Sequence, residues 1–252
     1  QIGEGMTSKV YKATDQYDNI FAIKIIPSNY YENCVRRQER LDEEIQILNL
    51  TNDDDFICSA YDMFVDEEGD LCVVMEHYDK DLKMLATERR QVFSEEAVKR
   101  IGLAVLEGLG SLHRKDVLYR DLKLENVLIK MNGEIVISDF GLSKVMDEEQ
   151  TDSFCGTPEY LAPEVILDEE YGTEVDFWQL GVFLYEMLVG FSPFDDDENV
   201  YKIFEKIVSR EIQYPEYMSE EAKDLIMKLT KKDPEERLTD YQKIRSHPFS
   251  DL

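Results

Sequence analysis

The stretch Phe177 to Val189 is apolar on nearly every side, and a helix of that character is stable only where other elements surround it completely. The chain must therefore build a core large enough to enclose a helix, and Gly190 stands where that helix needs a residue tolerant of a left-handed cap. With 252 residues and 43% hydrophobic content, one large domain or two packed lobes can supply such a core. Phe177 and Trp178 are expected to anchor it.

Residue patterning changes near position 77. Before it, β-branched and apolar residues alternate in Val10 to Ala13, Phe21 to Ile26 and Leu71 to Met75, as short strands require. Between them Leu41, Ile45 and Leu48 recur at helical spacing within Cys34 to Leu50. After Tyr78 long helical patterns dominate: Ser94 is placed to cap a helix carrying Val98, Ile101, Val105 and Leu112, and Ser219 one carrying Ala222, Leu225, Ile226 and Leu229. The expected fold class is α+β, with a small β-rich unit over residues 1–77 holding one main helix and a larger, mainly helical unit over residues 78–252.

A net charge of −27 opposes sequence-independent nucleic-acid binding, because most of the surface repels a phosphate backbone, and it favours basic partners. Acidic runs such as Asp53 to Asp55, Asp147 to Glu149 and Asp195 to Glu198 read as solvated surface. No apolar run is long enough for a membrane span or a leader, so a cytoplasmic location, with nuclear entry open, is expected. Cys34, Cys58, Cys72 and Cys155 form no CxxC pair and have no histidine at metal spacing, which suits free thiols.

Gly3-Glu4-Gly5 followed by Val10 would let backbone amides approach a phosphate, although such a pair by itself is more often an ordinary hairpin turn. Ala22 and Lys24 then share one strand face, so a small residue and an ammonium look the same way. Within the apolar run Phe21 to Ile26, Lys24 needs a counter-ion. Glu44, one turn from Leu41 and Leu48, is the first candidate and Glu43 the second. Further on, Tyr119-Arg120-Asp121-Leu122-Lys123-Leu124-Glu125-Asn126 precedes Asp139-Phe140-Gly141, giving two carboxylates and an amide as hard oxygen donors and a base to orient a hydroxyl.

Taken in order with Ala162-Pro163-Glu164, these motifs resemble the eukaryotic protein kinase family over essentially the whole chain. The resemblance implies the bilobal kinase fold and transfer of the ATP γ-phosphate, with ATP and Mg2+ as cofactors. Lys24 would hold the α- and β-phosphates and pair with Glu44; Asp121 would be the catalytic base; Lys123 would neutralise charge on the γ-phosphate; Asn126 and Asp139 would bind magnesium. The nucleotide would meet Ile2, Gly3, Gly5, Val10, Ala22, Met75, Glu76, His77, Asp81, Glu125 and Leu128. His77 is expected to offer only backbone groups. Lys123 and Gly156-Thr157-Pro158-Glu159-Tyr160 are similar to serine/threonine kinases, and Tyr119, Ser153-Phe154-Cys155 and His247-Pro248-Phe249 resemble the AGC group.

From that group come further expectations. Ser153 would be phosphorylated by an upstream kinase, with Arg120, Lys144 and Arg40 around the phosphate. Glu125, Glu186 and Asp81 would receive arginines before the target residue, and Phe154, Pro158 and Leu161 an apolar residue after it. Asp176 would anchor a helix, Arg237 would pair with Glu164, and the partners would be protein substrates of a monomeric catalytic domain. Ser8 and Thr7 depart from the family's glycine loop, the segment Met75 to Asp81 is one residue short, and the chain stops at Leu252 without the group's tail, as a cropped domain would. A pseudokinase scaffold and a small-molecule phosphotransferase are the competing readings.

Overall fold

The computed structural model describes residues 1–4, 8–31, 35–130, 132–146, 151–196 and 199–250. Strands β1 (Gly3–Glu4), β2 (Lys9–Thr14), β3 (Ile20–Ile26), β4 (Ala60–Val65) and β5 (Leu71–Glu76) form one antiparallel sheet in the order β1-β2-β3-β5-β4. Alternation along β3 buries Ala22, Lys24 and Ile26 and leaves the residues between them partly exposed. After the short α1 (Ser28–Tyr31), helix α2 (Val35–Thr51) buries Leu41, Glu44, Ile47 and Leu48. Of the three apolar residues read at helical spacing, Leu41 and Leu48 are buried and Ile45 is partly exposed, with Ile47 added to the buried face.

The rest is mainly helical, as expected. It runs through β6 (Lys80–Asp81), α3 (Leu82–Arg89), α4 (Glu95–His113), β7 (Val117–Leu118), β8 (Val127–Ile129), β9 (Ile135–Ile137) and β10 (Lys144–Val145). Helices α5 (Pro163–Ile166), α6 (Glu174–Val189), α7 (Val200–Ser209), α8 (Glu220–Leu229) and α9 (Tyr241–Arg245) follow. Ser94 Oγ accepts the Ala97 amide at 3.3 Å and Ser219 Oγ the Ala222 amide at 3.2 Å, so both helices begin where their caps dictate. Every residue of α6 from Val175 to Leu188 is buried, each large apolar side chain contributing roughly 1.5–3 kcal/mol by leaving water. Gly190, at φ 95°, closes the helix by donating its amide to the Glu186 carbonyl at 2.7 Å.

The charged groups Glu164 and Arg237 inside this core are paired, whereas the buried Trp178 indole nitrogen has no hydrogen-bond partner among the described residues. Arg237 holds Glu164 through two hydrogen bonds of 2.6 and 2.9 Å, both side chains being sealed from solvent, and its guanidinium lies 5.3 Å from the centre of the Trp178 ring. Trp178 stacks on Phe194 at 5.7 Å. Two small sheets, β6-β8-β9 and β7-β10, had no signature in the sequence, because pieces of two or three residues are too short to show alternation. They matter because they frame the loops that carry the polar motifs. A bridge between Ile57 and Ile137, with the Cys58 amide on the Ile137 carbonyl at 2.9 Å, ties the α2–β4 connection to β9.

Candidate functional site

The register of the large sheet settles which side chains share a face. Gly3 opposes Val10, Val10 opposes Lys24, and Ala22 opposes Met75, so all five lie on the face that carries Lys24. Gly5, Met6 and Thr7 lie outside the described residues, and Ile2 is exposed, its amide bonded to the Val10 carbonyl at 2.8 Å. Glu76 spends its carboxylate on Lys130 and on the Tyr78 hydroxyl, and His77, whose pKa is lowered by partial burial and by Lys12, continues from the end of β5. Asp81 caps α3 by accepting the Met84 amide at 2.7 Å, and Leu128 sits opposite it across β6 and β8.

Lys24 reaches out from β3 to two carboxylates, Glu44 Oε1 at 2.5 Å and Asp139 Oδ1 at 3.0 Å. Burial alone pushes the ammonium's pKa down, yet Asp139 and Glu44 together overcome it and raise the value above the ordinary lysine range. Asp139 responds in kind: the Lys24 charge lowers its pKa against the opposing effect of burial, although half of its side-chain surface stays open to solvent. One cation thus joins the sheet, helix α2 and the Asp139 loop, and of the two acids considered for Lys24 the geometry selects Glu44.

Asp121 sits below, only 5% exposed, with both carboxylate oxygens engaged. Oδ1 accepts the Thr157 hydroxyl at 2.8 Å, and Oδ2 accepts Lys123 Nζ and Asn126 Nδ2, each at 2.8 Å. Lys123 also donates to Thr157 Oγ1 at 3.0 Å. Thr157 was visible in the sequence only as part of a class-marking motif; its contact with Asp121 comes from the fold of the segment that carries it. Gly156, at φ 126°, admits that fold, since a Cβ there would stand 2.8 Å from Leu161 Cδ2 and 3.2 Å from the Arg120 carbonyl.

The loop is held from beneath by α6. Asp176, fully buried, accepts the backbone amides of Tyr119 and Arg120 at 2.9 and 2.8 Å and pairs with His113 Nε2 at 2.7 Å. These bonds hold Arg120 at φ 70°, a conformation that a side chain with a Cβ adopts only under constraint. Gln179 was not singled out in the sequence. One turn along α6 from Asp176, it accepts the Leu122 amide at 3.0 Å and donates to the Arg120 carbonyl at 2.8 Å, clamping the backbone on both sides of Asp121. Tyr119, expected only as a group marker, sends its hydroxyl to the Ser138 carbonyl at 2.6 Å and so links the Asp121 loop to the Asp139 loop.

Around Ser153 the structure gathers two of the three expected cations. Lys144 Nζ bonds Thr151 Oγ1 at 2.9 Å, and that hydroxyl is 3.2 Å from Ser153 Oγ. Arg120 Nη1 is 3.4 Å from the Tyr171 hydroxyl, which donates to the Ser153 carbonyl at 2.5 Å. The Arg40 side chain lies outside the described part. Thr151 and Tyr171, joined by a backbone bridge, are the members that the sequence did not mark.

Among the acids expected to meet a substrate, Glu125 is exposed, whereas Glu186 is buried and bonded to Lys83 Nζ at 2.9 Å and to the Tyr160 hydroxyl. Phe154 projects outward and packs edge-on against Phe204 at 6.1 Å. Leu161 is buried beneath Gly156, so it supports this region from below.

A family model described as "Protein kinase domain" matches residues 1–250. Curated relatives include the RAC-beta serine/threonine-protein kinase of Homo sapiens, 37% identical over 98% of this chain and 52% of its own length. The RAC serine/threonine-protein kinase of Drosophila melanogaster is 35% identical over 98% of this chain and 41% of its own length, and RAC-beta kinase B of Xenopus laevis 42% identical over 71% of the chain and 38% of its own. The chain spans about half the length of the relatives it matches over nearly its full extent, or less. With the family matched from end to end and the β-rich and helical parts arranged as that family implies, the chain belongs to the protein kinase domain family.

Proposed function

We propose that this chain catalyses transfer of the ATP γ-phosphate to serine or threonine hydroxyls of proteins, with residues 1–77 and 78–252 as its two lobes. The observation that carries this is the linked pair of clusters, Lys24–Glu44–Asp139 and Asp121–Lys123–Asn126–Thr157, which place one cation at the sheet and one carboxylate base beneath it. Lys24 would hold the α- and β-phosphates, fixed in direction by Glu44. Gly3, Val10, Ala22 and Met75 occupy the same sheet face, where a nucleotide base and phosphates could lie side by side.

The donor set fits magnesium. Asp139 is a carboxylate kept ionised by Lys24, and Asn126 engages Asp121 through Nδ2, which leaves its carbonyl as a second hard oxygen donor. When bound, the metal would neutralise charge on the β- and γ-phosphates. Asp121 would accept the attacking hydroxyl's proton, and Lys123, now shared between Asp121 and Thr157, would turn to the γ-phosphate oxygens. Thr157, whose hydroxyl occupies Asp121 Oδ1, supports recognition of an aliphatic hydroxyl at that oxygen.

Substrates would carry arginine two and three residues before the target, drawn by Glu125 and Glu186 with Asp81 as a third acid, and an apolar residue after it against Phe154 and Pro158. Phosphorylation of Ser153 by an upstream kinase would recruit Lys144 and Arg120 and order the segment. No helix among the described residues is long and apolar enough to cross a membrane; a cytoplasmic site of action remains part of the proposal.

The test is magnesium-dependent phosphate transfer from ATP to a pool of serine and threonine peptides. Wild-type protein should transfer, and Asp121→Asn should lose 10²-fold or more in kcat while still binding nucleotide, as expected of a positioned base. Nucleotide binding without any transfer by wild type would favour the scaffold reading.

A further inference from the structure

Lys83 is an unexpected residue for its place. It lies in the first turn of α3, where the helix dipole disfavours a cation, and the capping acid Asp81 turns its carboxylate to the Met84 amide. Its partner is instead on α6: Nζ reaches Glu186 Oε1 at 2.9 Å across 103 positions of sequence. Glu186 is 5% exposed and its other oxygen takes the Tyr160 hydroxyl, so both oxygens are engaged, while about half of the Lys83 side chain faces solvent.

We infer that Lys83 is a specificity-determining residue, a resident ammonium that occupies on Glu186 the place an upstream substrate arginine would take. This rests on the reading that Glu186 faces the part of the peptide before the target residue. A buried carboxylate is costly to leave uncompensated, so a counter-ion must be present before any substrate arrives, and Lys83 supplies it. An arriving guanidinium must displace it. Lys83 sits on Oε1 and Tyr160 on Oε2, so a guanidinium can form its parallel pair of bonds with Glu186 only once Lys83 has left Oε1. Glu125 and Glu159 also pull on the Lys83 ammonium, and with Glu186 they raise its pKa against the effect of partial burial. The cation is thus charged and central to the acids of this surface. Glu125, exposed and without an ion pair among the described residues, is left as the stronger arginine acceptor.

Peptide arrays scanning each position before the target test this with wild type, Lys83→Met, Lys83→Arg and Lys83→Met/Glu186→Gln. Lys83→Met should raise arginine selection about tenfold at one upstream position, the worth of one charge-assisted bond, and leave the other positions alone. The double variant should return that position to the wild-type level or below. Lys83→Arg, which keeps the charge and so the fold, should bind Glu186 more firmly and lower the same selection. Unchanged arrays for both single variants, or a uniform change at every position, would overturn the inference. If Glu125→Gln alters selection while both Lys83 variants do not, only the role of Lys83 fails; if neither Glu125→Gln nor Glu186→Gln alters it, the placement of the peptide fails first.

Discussion

Gln179→Leu isolates the clamp beneath Asp121. The two side chains are close in size, so packing in α6 is nearly conserved, and what disappears is the bond from the Leu122 amide and the bond to the Arg120 carbonyl. Residues 120, 122 and 179 are all buried, which keeps water from replacing the lost partners. Each orphaned backbone group costs about 1–3 kcal/mol, so the two together cost about 2–6 kcal/mol. At this chain length the apparent Tm falls by about 2–4 °C per kcal/mol, hence by at least about 4 °C. Trp178, the single tryptophan, is buried against Phe194 and reports the transition by its own fluorescence. Catalysis should change in a separable way. Asp121 loses its backbone support while Lys24, Glu44 and Asp139 are untouched, so kcat should drop about tenfold or more, as small misplacements of a reacting group do, with little change in KM for ATP. Gln179→Glu, which keeps the acceptor but sets a carboxylate against the Arg120 carbonyl, should be worse on both counts. A Gln179→Leu protein with the wild-type Tm and kcat would show that the clamp does not position the loop.

Glu164→Gln should destabilise the protein by about 3–5 kcal/mol, because it leaves the buried Arg237 guanidinium without its charge partner; denaturant unfolding measures this, and a loss under about 1 kcal/mol would contradict it. The pKa of Asp139 is depressed on folding, so its contribution to stability is full above the unfolded value of 3.8 and is lost as pH falls through the lower folded value. Unfolding midpoints followed below pH 4 should therefore decline, and Lys24→Met should weaken the part of that decline due to Asp139, because without the lysine charge the folded pKa rises back toward the unfolded one and little stability is left to lose. Ser153→Ala should lower activity towards peptides, and mass spectrometry of active wild-type protein should find phosphate at Ser153; full activity of the alanine variant with no phosphate detected would refute the proposal for that residue.

Much of the fold was legible in the chain because local chemistry and global packing agree there. Alternation in Phe21 to Ile26 marked β3, Ser94 and Ser219 marked the starts of α4 and α8, and unbroken apolarity marked α6. The pairing of Lys24 with Glu44 followed from the same logic, since a lysine on a buried strand face must find an acid and a helix offers one at a predictable spacing. The small sheets and the Ser153 surroundings were not legible, being built from two- or three-residue strands and from Tyr171 and Thr151, which carry no periodic signal.

By itself the sequence determined the types of the longer elements, the two-part division of pattern and the identity of the polar groups, because propensity, capping and hydrophobic period act over a few residues. Only the tertiary structure decided which of those groups are free to act. Glu125 and Glu186 read alike as acids, yet one is exposed and the other is held by Lys83 and Tyr160 from distant elements. Gln179 and Thr157 acquired their contacts with the Asp121 loop in the same way. A buried charge or amide takes whichever partner the packed helices bring within about 3 Å, and that choice is made by the geometry of the whole core, not by the neighbours along the chain.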